Sequence, residues 1–182
     1  MKRVFLCALA LLFSGAGSFQ GSLPTTATAD TVESVYTDLS QCQTVKVNQE
    51  RASSITKCPG VGGYHLLILD DDARMSVTVV APGGKEHPLE YWHTITNGFS
   101  TVGQKAEWRV IRQNGKLVPI ALIVRVNANE DSEKPEKVTS YLAVAKITGQ
   151  QICVTNKIKP SARANEEART AADAAANKPC LE

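Results

Sequence analysis

The stretch AEWRVIRQNGKLVPIALIVRV, residues 106–126, decides the fold of this chain. Asn114 and Gly115 stand between two apolar runs, and Asn-Gly in that position is the strongest short-range signal for a β-hairpin. In the first arm, apolar residues alternate with Glu107 and Arg109. That alternation is the period of a strand with one buried face, so residues 106–112 are predicted to form the first strand of the hairpin.

The second arm of the hairpin, Leu117–Val124, is apolar on both faces. It is therefore predicted to be a central strand that is covered on both sides. Two registers of the predicted hairpin are possible. A two-residue Asn-Gly turn would pair Trp108 with Ala121, whereas a three-residue turn with Gly115 as a left-handed bulge would pair Trp108 with Ile120. The second register buries apolar residues against apolar residues, so it is favoured.

The remaining chain extends this hairpin into a mainly β (α+β) fold. Short apolar runs separated by turn residues predict further strands, and Tyr91–Ile95 is included as a strand within the long irregular stretch 85–104. After Pro160, Ser161 is a candidate N-cap for a helix over about 162–177, rich in Ala, Glu and Arg. We expect an antiparallel sheet, arranged as a sandwich or an open barrel, with this C-terminal helix packed on it.

A stripe of small residues is predicted to let the helix lie close on the sheet. Its members recur at helical spacing, and they are Ala164, Ala168, Ala171, Ala172 and Ala175.

The N-terminus resembles a secretory leader. Ten apolar residues, Val4–Phe13, follow Lys2 and Arg3, and a positive start before a short apolar run is typical of a signal peptide. At helical rise the run covers about 15 Å, half of a hydrocarbon core, so it is too short to span a membrane. Cleavage is expected after Ala29, with Ala16 as the alternative.

Residues 1–29 are accordingly assigned to a signal peptide with a small-residue stem, and residues 30–182 to a single disulfide-bonded, β-rich domain. The full chain has 20 Lys+Arg against 18 Asp+Glu. Cleavage would remove Lys2 and Arg3, leaving the mature chain close to neutral. A near-neutral chain lacks the basic surplus that nucleic-acid binding requires, and no membrane span is expected in the mature chain.

Four cysteines remain after cleavage. An even number in an exported chain indicates two disulfides, and four cysteines allow three pairings. The spacing favours Cys42–Cys58 and Cys153–Cys180, each of which would close a local loop. No pair has the C-x₂-C spacing of a zinc site, so no metal and no cofactor is expected.

The four candidate residues for a binding surface come from two places. Tyr91 and Trp92 in the long loop are interpreted either as an exposed aromatic anchor for a protein partner or as core filling. Glu107 and Arg109, which flank Trp108, form either an outward ion pair or a partly buried charged patch facing a ligand groove.

The segment Cys58-Pro59-Gly60-x-Gly62-Gly63-Tyr64 is a further distinctive pattern. With this segment as the most specific part, nearly the whole mature chain resembles a group of small exported proteins of rhizobia-like alphaproteobacteria. The resemblance implies the bacterial envelope as compartment and paired cysteines. The group has no established activity, so it supplies no catalytic or binding residue.

The leading functional hypothesis is a periplasmic or secreted, non-catalytic binding or inhibitor-type module for an envelope or extracellular macromolecule. One alternative is a small periplasmic hydrolase that uses His65, His87 or His93 with a nearby carboxylate. A second alternative is a structural component of the envelope. No residue is assigned a catalytic role.

Overall fold

The computed structural model describes residues 31–131, 133–134 and 136–182. The predicted leader, with both candidate cleavage sites, lies outside these residues.

Ten strands and two α-helices make up the described chain. The strands are β1 (Glu33–Asp38), β2 (Gln43–Asn48), β3 (Ser53–Pro59), β4 (His65–Asp71), β5 (Arg74–Val80), β6 (Glu86–Pro88), β7 (Phe99–Gln113), β8 (Lys116–Asn129), β9 (Val138–Ile147) and β10 (Ile152–Ile158). The helices are the single turn α1 (Tyr91–Thr94) and α2 (Ala164–Asp173), and a short 3₁₀ helix follows at Ala175–Asn177.

The ten strands belong to one open sheet with two halves. Strands β2 to β6 form the first half, and β1 with β7 to β10 form the second. The halves are joined where Arg74 of β5 pairs with Ser100 of β7, and this contact is parallel. All the other pairings within the sheet are antiparallel. The predicted mainly β class with a C-terminal helix is confirmed, although the sheet is mixed rather than purely antiparallel.

The main core lies between the inner faces of the two halves. Leu66 and Val77 from the first half pack in one cluster with Trp108 and Leu122 from the second. Trp108 is fully buried, and its indole N–H donates to Thr37 Oγ1 at 2.9 Å. Each fully buried aliphatic side chain contributes about 1.5–3 kcal/mol, so this cluster is the main source of stability.

The outer face of the second half carries α2. Ala168 and Ala172 pack there against the β8 residues Ala121 and Ile123, forming a second apolar cluster. The other side of β8 faces the main core, so the prediction of a strand covered on both faces is confirmed. Neither helix in the described part of the chain is long and apolar enough to cross a membrane.

The helix starts later than predicted. Ser161 is not the N-cap, because its hydroxyl accepts the N–H of Arg163 at 3.1 Å in a turn that precedes the helix. The helix then begins at Ala164 and ends at Asp173, and the 3₁₀ turn continues the chain.

The favoured hairpin register is wrong. The turn has two residues, Asn114 (φ 50°) and Gly115 (φ 75°), and Trp108 pairs with Leu122. Because Arg109 pairs with Ala121 while Val110 pairs with Pro119, Ile120 is an extra bulged residue. Proline cannot donate a ladder hydrogen bond and occurs in sheets at bulges or edges. The three-residue turn was expected because it would pair apolar residues with each other. The bulge produces such pairs with a two-residue turn, since Trp108 lies opposite Leu122.

Residues 91–95 form a helical turn rather than the predicted strand. The N–H of Tyr91 donates to Ser76 Oγ at 3.0 Å, and the N–H of Ile95 donates to the carbonyl of Tyr91 at 2.9 Å. Tertiary contacts with β5 therefore override the local apolar pattern.

Both disulfides have the predicted pairing. Cys42 is bonded to Cys58, and Cys153 to Cys180, with sequence separations of 16 and 27 residues. The first joins β3 to the segment between β1 and β2, and the second joins the C-terminal tail to β10. Such bonds suit an oxidising compartment.

We predict that the double variant Cys153→Ser/Cys180→Ser loses about 3–4 kcal/mol in free energy of unfolding, because a closed loop of this length restricts the unfolded chain by about that amount. Urea denaturation measures the loss, and hydrogen exchange should show faster exchange in α2. The control is Cys42→Ser/Cys58→Ser, which should lose about 3 kcal/mol without faster exchange in α2. Crossed pairs or free thiols in non-reducing mass mapping would contradict the framework.

Candidate functional site

Glu107 and Arg109 lie on the outer face of β7, beneath α2. They belong to a polar group that we name the helix clamp. Its members join β1, β7 and α2, and they are Ser34, Tyr36, Glu107, Arg109, Arg169 and Asp173.

Glu107 forms the first contact of the helix clamp. Its Oε1 accepts hydrogen bonds from Arg169 Nε at 2.6 Å and from the hydroxyl of Ser34. Burial raises the pKa of Glu107, but the hydrogen bonds from Arg169 and Ser34 outweigh it and hold the pKa below its usual value of 4.5. The carboxylate is therefore charged and committed to α2 at neutral pH.

Arg109 forms the second contact. Its guanidinium donates to both carboxylate oxygens of Asp173, with Nε–Oδ1 at 2.7 Å and Nη2–Oδ2 at 2.8 Å. Arg109 is 8% exposed. A two-point contact of this kind is among the strongest polar contacts and fixes the relative geometry of the two groups. Glu107 and Arg109 thus do not form an outward pair with each other; each holds the helix to the sheet.

Tyr91 and Trp92 are neighbours with opposite surroundings. Tyr91 is 1% exposed and belongs to the main core. Its place on the candidate binding surface is corrected for this reason, and its burial raises the pKa of its phenol. Trp92 is partly exposed and lines a surface cavity.

We name this cavity the Trp92 groove. It lies over β2, β3 and β4 and has a volume of about 240 Å³. Register pairing places Lys46, Ile55 and Leu69 in one row across the sheet, below Trp92. The complete lining is Lys46, Asn48, Arg51, Ser53, Ser54, Ile55, Leu69, Asp70, Asp71 and Trp92.

The turn that carries Trp92 is firmly held. Tyr91 anchors it in the core, and the hydroxyl of Thr94 donates to the carbonyl of Leu89 at 3.0 Å. Glu90, which precedes the turn, has φ 48°, in the left-handed region. A non-glycine residue in this region costs roughly 1–3 kcal/mol, and such strain is concentrated at binding and catalytic sites. The backbone that carries the indole is thus anchored on both sides of Trp92.

One buried carboxylate oxygen of β4 has no partner within the described residues. Asp70 Oδ1 is buried and accepts no hydrogen bond from them. A buried acceptor without a donor costs about 1–3 kcal/mol.

The three candidate histidines do not form the pair that a hydrolase requires. His65 and His87 occupy adjacent rows of β4–β5–β6, since His65 pairs with Val80 and His87 with Val79. His93 lies in α1 against Trp92. Across residues 31–131, 133–134 and 136–182, no histidine bonds to a carboxylate, and no three potential ligands converge on a metal position.

Comparison of the chain with protein-family models, with curated proteins and with solved structures finds no match in any of the three.

The sequence identified Trp92 but missed the residues around it. Ile55 and Leu69 are outward residues of ordinary strands, and only the register of β3 and β4 places them under the indole. The sequence gives one weak signal, the adjacent aromatic residues Tyr91 and Trp92. In a turn on the surface, two neighbouring side chains can point to opposite sides, and here one is buried and the other is partly exposed. The helix clamp was missed because its partners are 62 to 133 residues apart in the sequence.

We predict that Glu107→Gln lowers the free energy of unfolding by about 1–3 kcal/mol at pH 7, because the charged hydrogen bonds from Arg169 are lost. The folded-state pKa of Glu107 is lowered, so its carboxylate contributes stability above the unfolded value of 4.5, and this contribution is lost as pH falls through the folded pKa. The difference between wild type and Glu107→Gln should therefore be largest near neutrality and shrink below about pH 4.5. Urea unfolding from pH 3 to 8 measures it.

The control for this series is Glu50→Gln, at an exposed position. It should change stability by less than about 0.5 kcal/mol at every pH. A Glu107→Gln deficit that stays constant down to pH 3 would contradict the assigned role of the carboxylate.

We predict stability losses of very different size for the two neighbouring aromatic residues. Tyr91→Ala should lower the free energy of unfolding by about 3–5 kcal/mol, because it leaves a cavity in the core. Trp92→Ala should cost less than about 1 kcal/mol, since the indole packs on the surface of the sheet. Thermal and urea denaturation of the two variants test this, and a large loss in Trp92→Ala would show that the indole is a core residue.

Proposed function

We propose that the protein is an exported, non-catalytic binding module of the periplasm or the extracellular space. The Trp92 groove, together with the neighbouring edge of β2, is its contact surface for an envelope or extracellular protein. The compartment is supported by the leader pattern, by the two disulfides and by the resemblance to exported proteins of rhizobia-like alphaproteobacteria.

The observation that carries the proposal is a partly exposed Trp92 on an anchored turn beside the groove. Tryptophan is enriched among the residues that dominate binding energy, especially at the centre of a contact surface. Its turn is anchored by Tyr91 and strained at Glu90, so little conformational freedom remains to be lost on binding. Ile55 and Leu69 below the indole provide an apolar floor for a side chain of the partner.

The edge of β2 indicates what kind of partner fits. Among the described residues β2 pairs with β3 alone, so its outer backbone groups have no strand partner there. Val45 and Val47 are 53% and 62% exposed. An extended segment added to such an edge gains main-chain hydrogen bonds, while adjacent pockets read its side chains. The proposed partner therefore contributes an extended polypeptide segment.

The positive charges at the groove indicate which side chains the bound segment should carry. Lys46 lies on β2 at the groove and has no ion pair with any described residue, and Arg51 lies in the following loop. Val45 is an extra residue opposite β3, because Thr44 pairs with Thr56 and Lys46 with Ile55. Bulges and lysines on an edge strand disfavour its pairing with a second copy. We therefore expect a segment with Asp or Glu opposite Lys46, which would pair with the lysine, and an apolar residue over Trp92, which would cover the indole.

We predict that a photo-reactive p-benzoylphenylalanine placed at Val47 crosslinks a polypeptide from the envelope extract of the producing cell. Mass spectrometry of the product should locate an extended segment with an acidic and an apolar residue. In the Trp92→Ala background the yield should fall about tenfold, which corresponds to the loss of one dominant aromatic contact. A synthetic peptide of that segment should slow hydrogen exchange in residues 43–48.

The matched control places the same probe at Val138, which is equally exposed, at the start of β9. It should give no such product. The proposal fails if the yields at Val47 and Val138 are equal, if Trp92→Ala leaves the yield unchanged, or if the peptide does not protect β2. Cleavage of the bound segment would overturn the non-catalytic assignment.

A further inference from the structure

A second cavity lies under the first turn of α2, on the outer face of β7, β8 and β9. Its volume is about 220 Å³. We name it the Arg125 pocket. The floor is apolar and consists of Ile123, Leu142 and Ala168. The rim is polar and includes Lys105, Arg125 and Asn165.

Neither cation of this pocket forms a direct ion pair with a carboxylate of the described residues. Arg125 is partly buried and donates to the hydroxyl of Ser140 at 2.9 Å, but no described carboxylate lies within ion-pair distance of it. Lys105 faces Asp38 in the β1–β7 register and is near enough to act on its charge, but Asp38 Oδ1 accepts hydrogen bonds from the N–H and hydroxyl of Ser40 and the two side chains form no ion pair. A partly buried cation without a counter-charge is unfavourable.

The acid that lines the pocket does not neutralise these cations. Glu107 borders the cavity, but its carboxylate is bound by Arg169 and Ser34 of the helix clamp. The phenol oxygen of Tyr36, on the same wall, accepts a hydrogen bond from Arg169 at 2.9 Å. The Arg125 pocket is therefore apolar at its floor and carries an excess of positive charge at its rim.

The local backbone is adapted to place both cations here. Val102 pairs with Val126 and Ala106 with Val124, so residues 103–105 of β7 stand opposite Arg125 alone. Lys105 is the last residue of this bulge and lines the rim. A Cβ at Gly103 would lie 2.9 Å from the Cβ of Arg125, so glycine leaves the space that the arginine side chain occupies.

We propose that the Arg125 pocket binds a small monocarboxylate with a short apolar body. The carboxylate pairs with Arg125 and Lys105, and the apolar body lies on Ile123, Leu142 and Ala168. A cavity of about 150 Å³ holds benzene, so 220 Å³ accommodates a body of about six carbons and its carboxylate. Inorganic phosphate would leave the apolar floor without a contact, and a neutral hydrocarbon would leave both cations unpaired.

The test uses hexanoate as the probe and hexanamide as its uncharged isostere. Titration of the exported protein, followed by the methyl NMR signals of Ile123 and Leu142, should show saturable binding of hexanoate and at least tenfold weaker binding of hexanamide. Arg125→Gln should weaken hexanoate about tenfold or more. Lys105→Gln, at an exposed position where folding is unaffected, should weaken it severalfold.

The control variant is Arg112→Gln, which removes an exposed arginine that pairs with Glu33 at the other end of β7. It should bind hexanoate as wild type does. The proposal is overturned if hexanoate causes no saturable shift, if hexanamide binds equally well, or if the Arg125 and Lys105 variants bind like Arg112→Gln. Because this pocket does not include Trp92 or β2, failure here leaves the proposed contact surface untouched.

Discussion

The structure depends on one constraint, which is that β8 is apolar on both faces. A strand of this kind must be removed from water on two sides, and a single antiparallel sheet with one wet face cannot do that. The first half of the sheet covers one side through Leu66 and Val77. Helix α2 covers the other side, over Ala121 and Ile123. The open sheet, its fold into two halves and the position of the C-terminal helix all follow from this requirement.

The apolar contacts of α2 alone are too weak to hold the helix on the sheet. Alanine lets α2 lie close, but each buried methyl group contributes only about 0.8 kcal/mol, less than the roughly 1–2 kcal/mol that ordering one backbone residue costs. The helix is therefore attached by other means: the helix clamp, a hydrogen bond of 2.8 Å from Lys146 Nζ to the carbonyl of Lys178, and the Cys153–Cys180 disulfide. This explains why Glu107 and Arg109 of β7 make their ion pairs with α2.

The sequence predicted features that local chemistry determines. Asn114-Gly115 located the turn, the doubly apolar run located the central strand, and cysteine spacing indicated the correct pairs. It failed in two places: the bulge at Ile120 shifts the register of β7 against β8, and the turn at Tyr91 is held by Ser76 of β5. Glu107 and Arg109 were singled out correctly as unusual, but their roles depend on residues more than 60 positions away.

The Arg125 pocket and the attachment of α2 are thermodynamically linked. Asn165 and Ala168 of the helix form one side of the pocket, while Glu107 belongs both to its wall and to the helix clamp. A pocket built partly from α2 exists only when the helix is docked, so a ligand that binds there stabilises docking by RT ln(1 + [L]/Kd). The same relation requires that any loosening of the helix weakens the ligand. The unpaired charge of Arg125 and the weakness of an alanine interface are thus two costs that one bound carboxylate would reduce together.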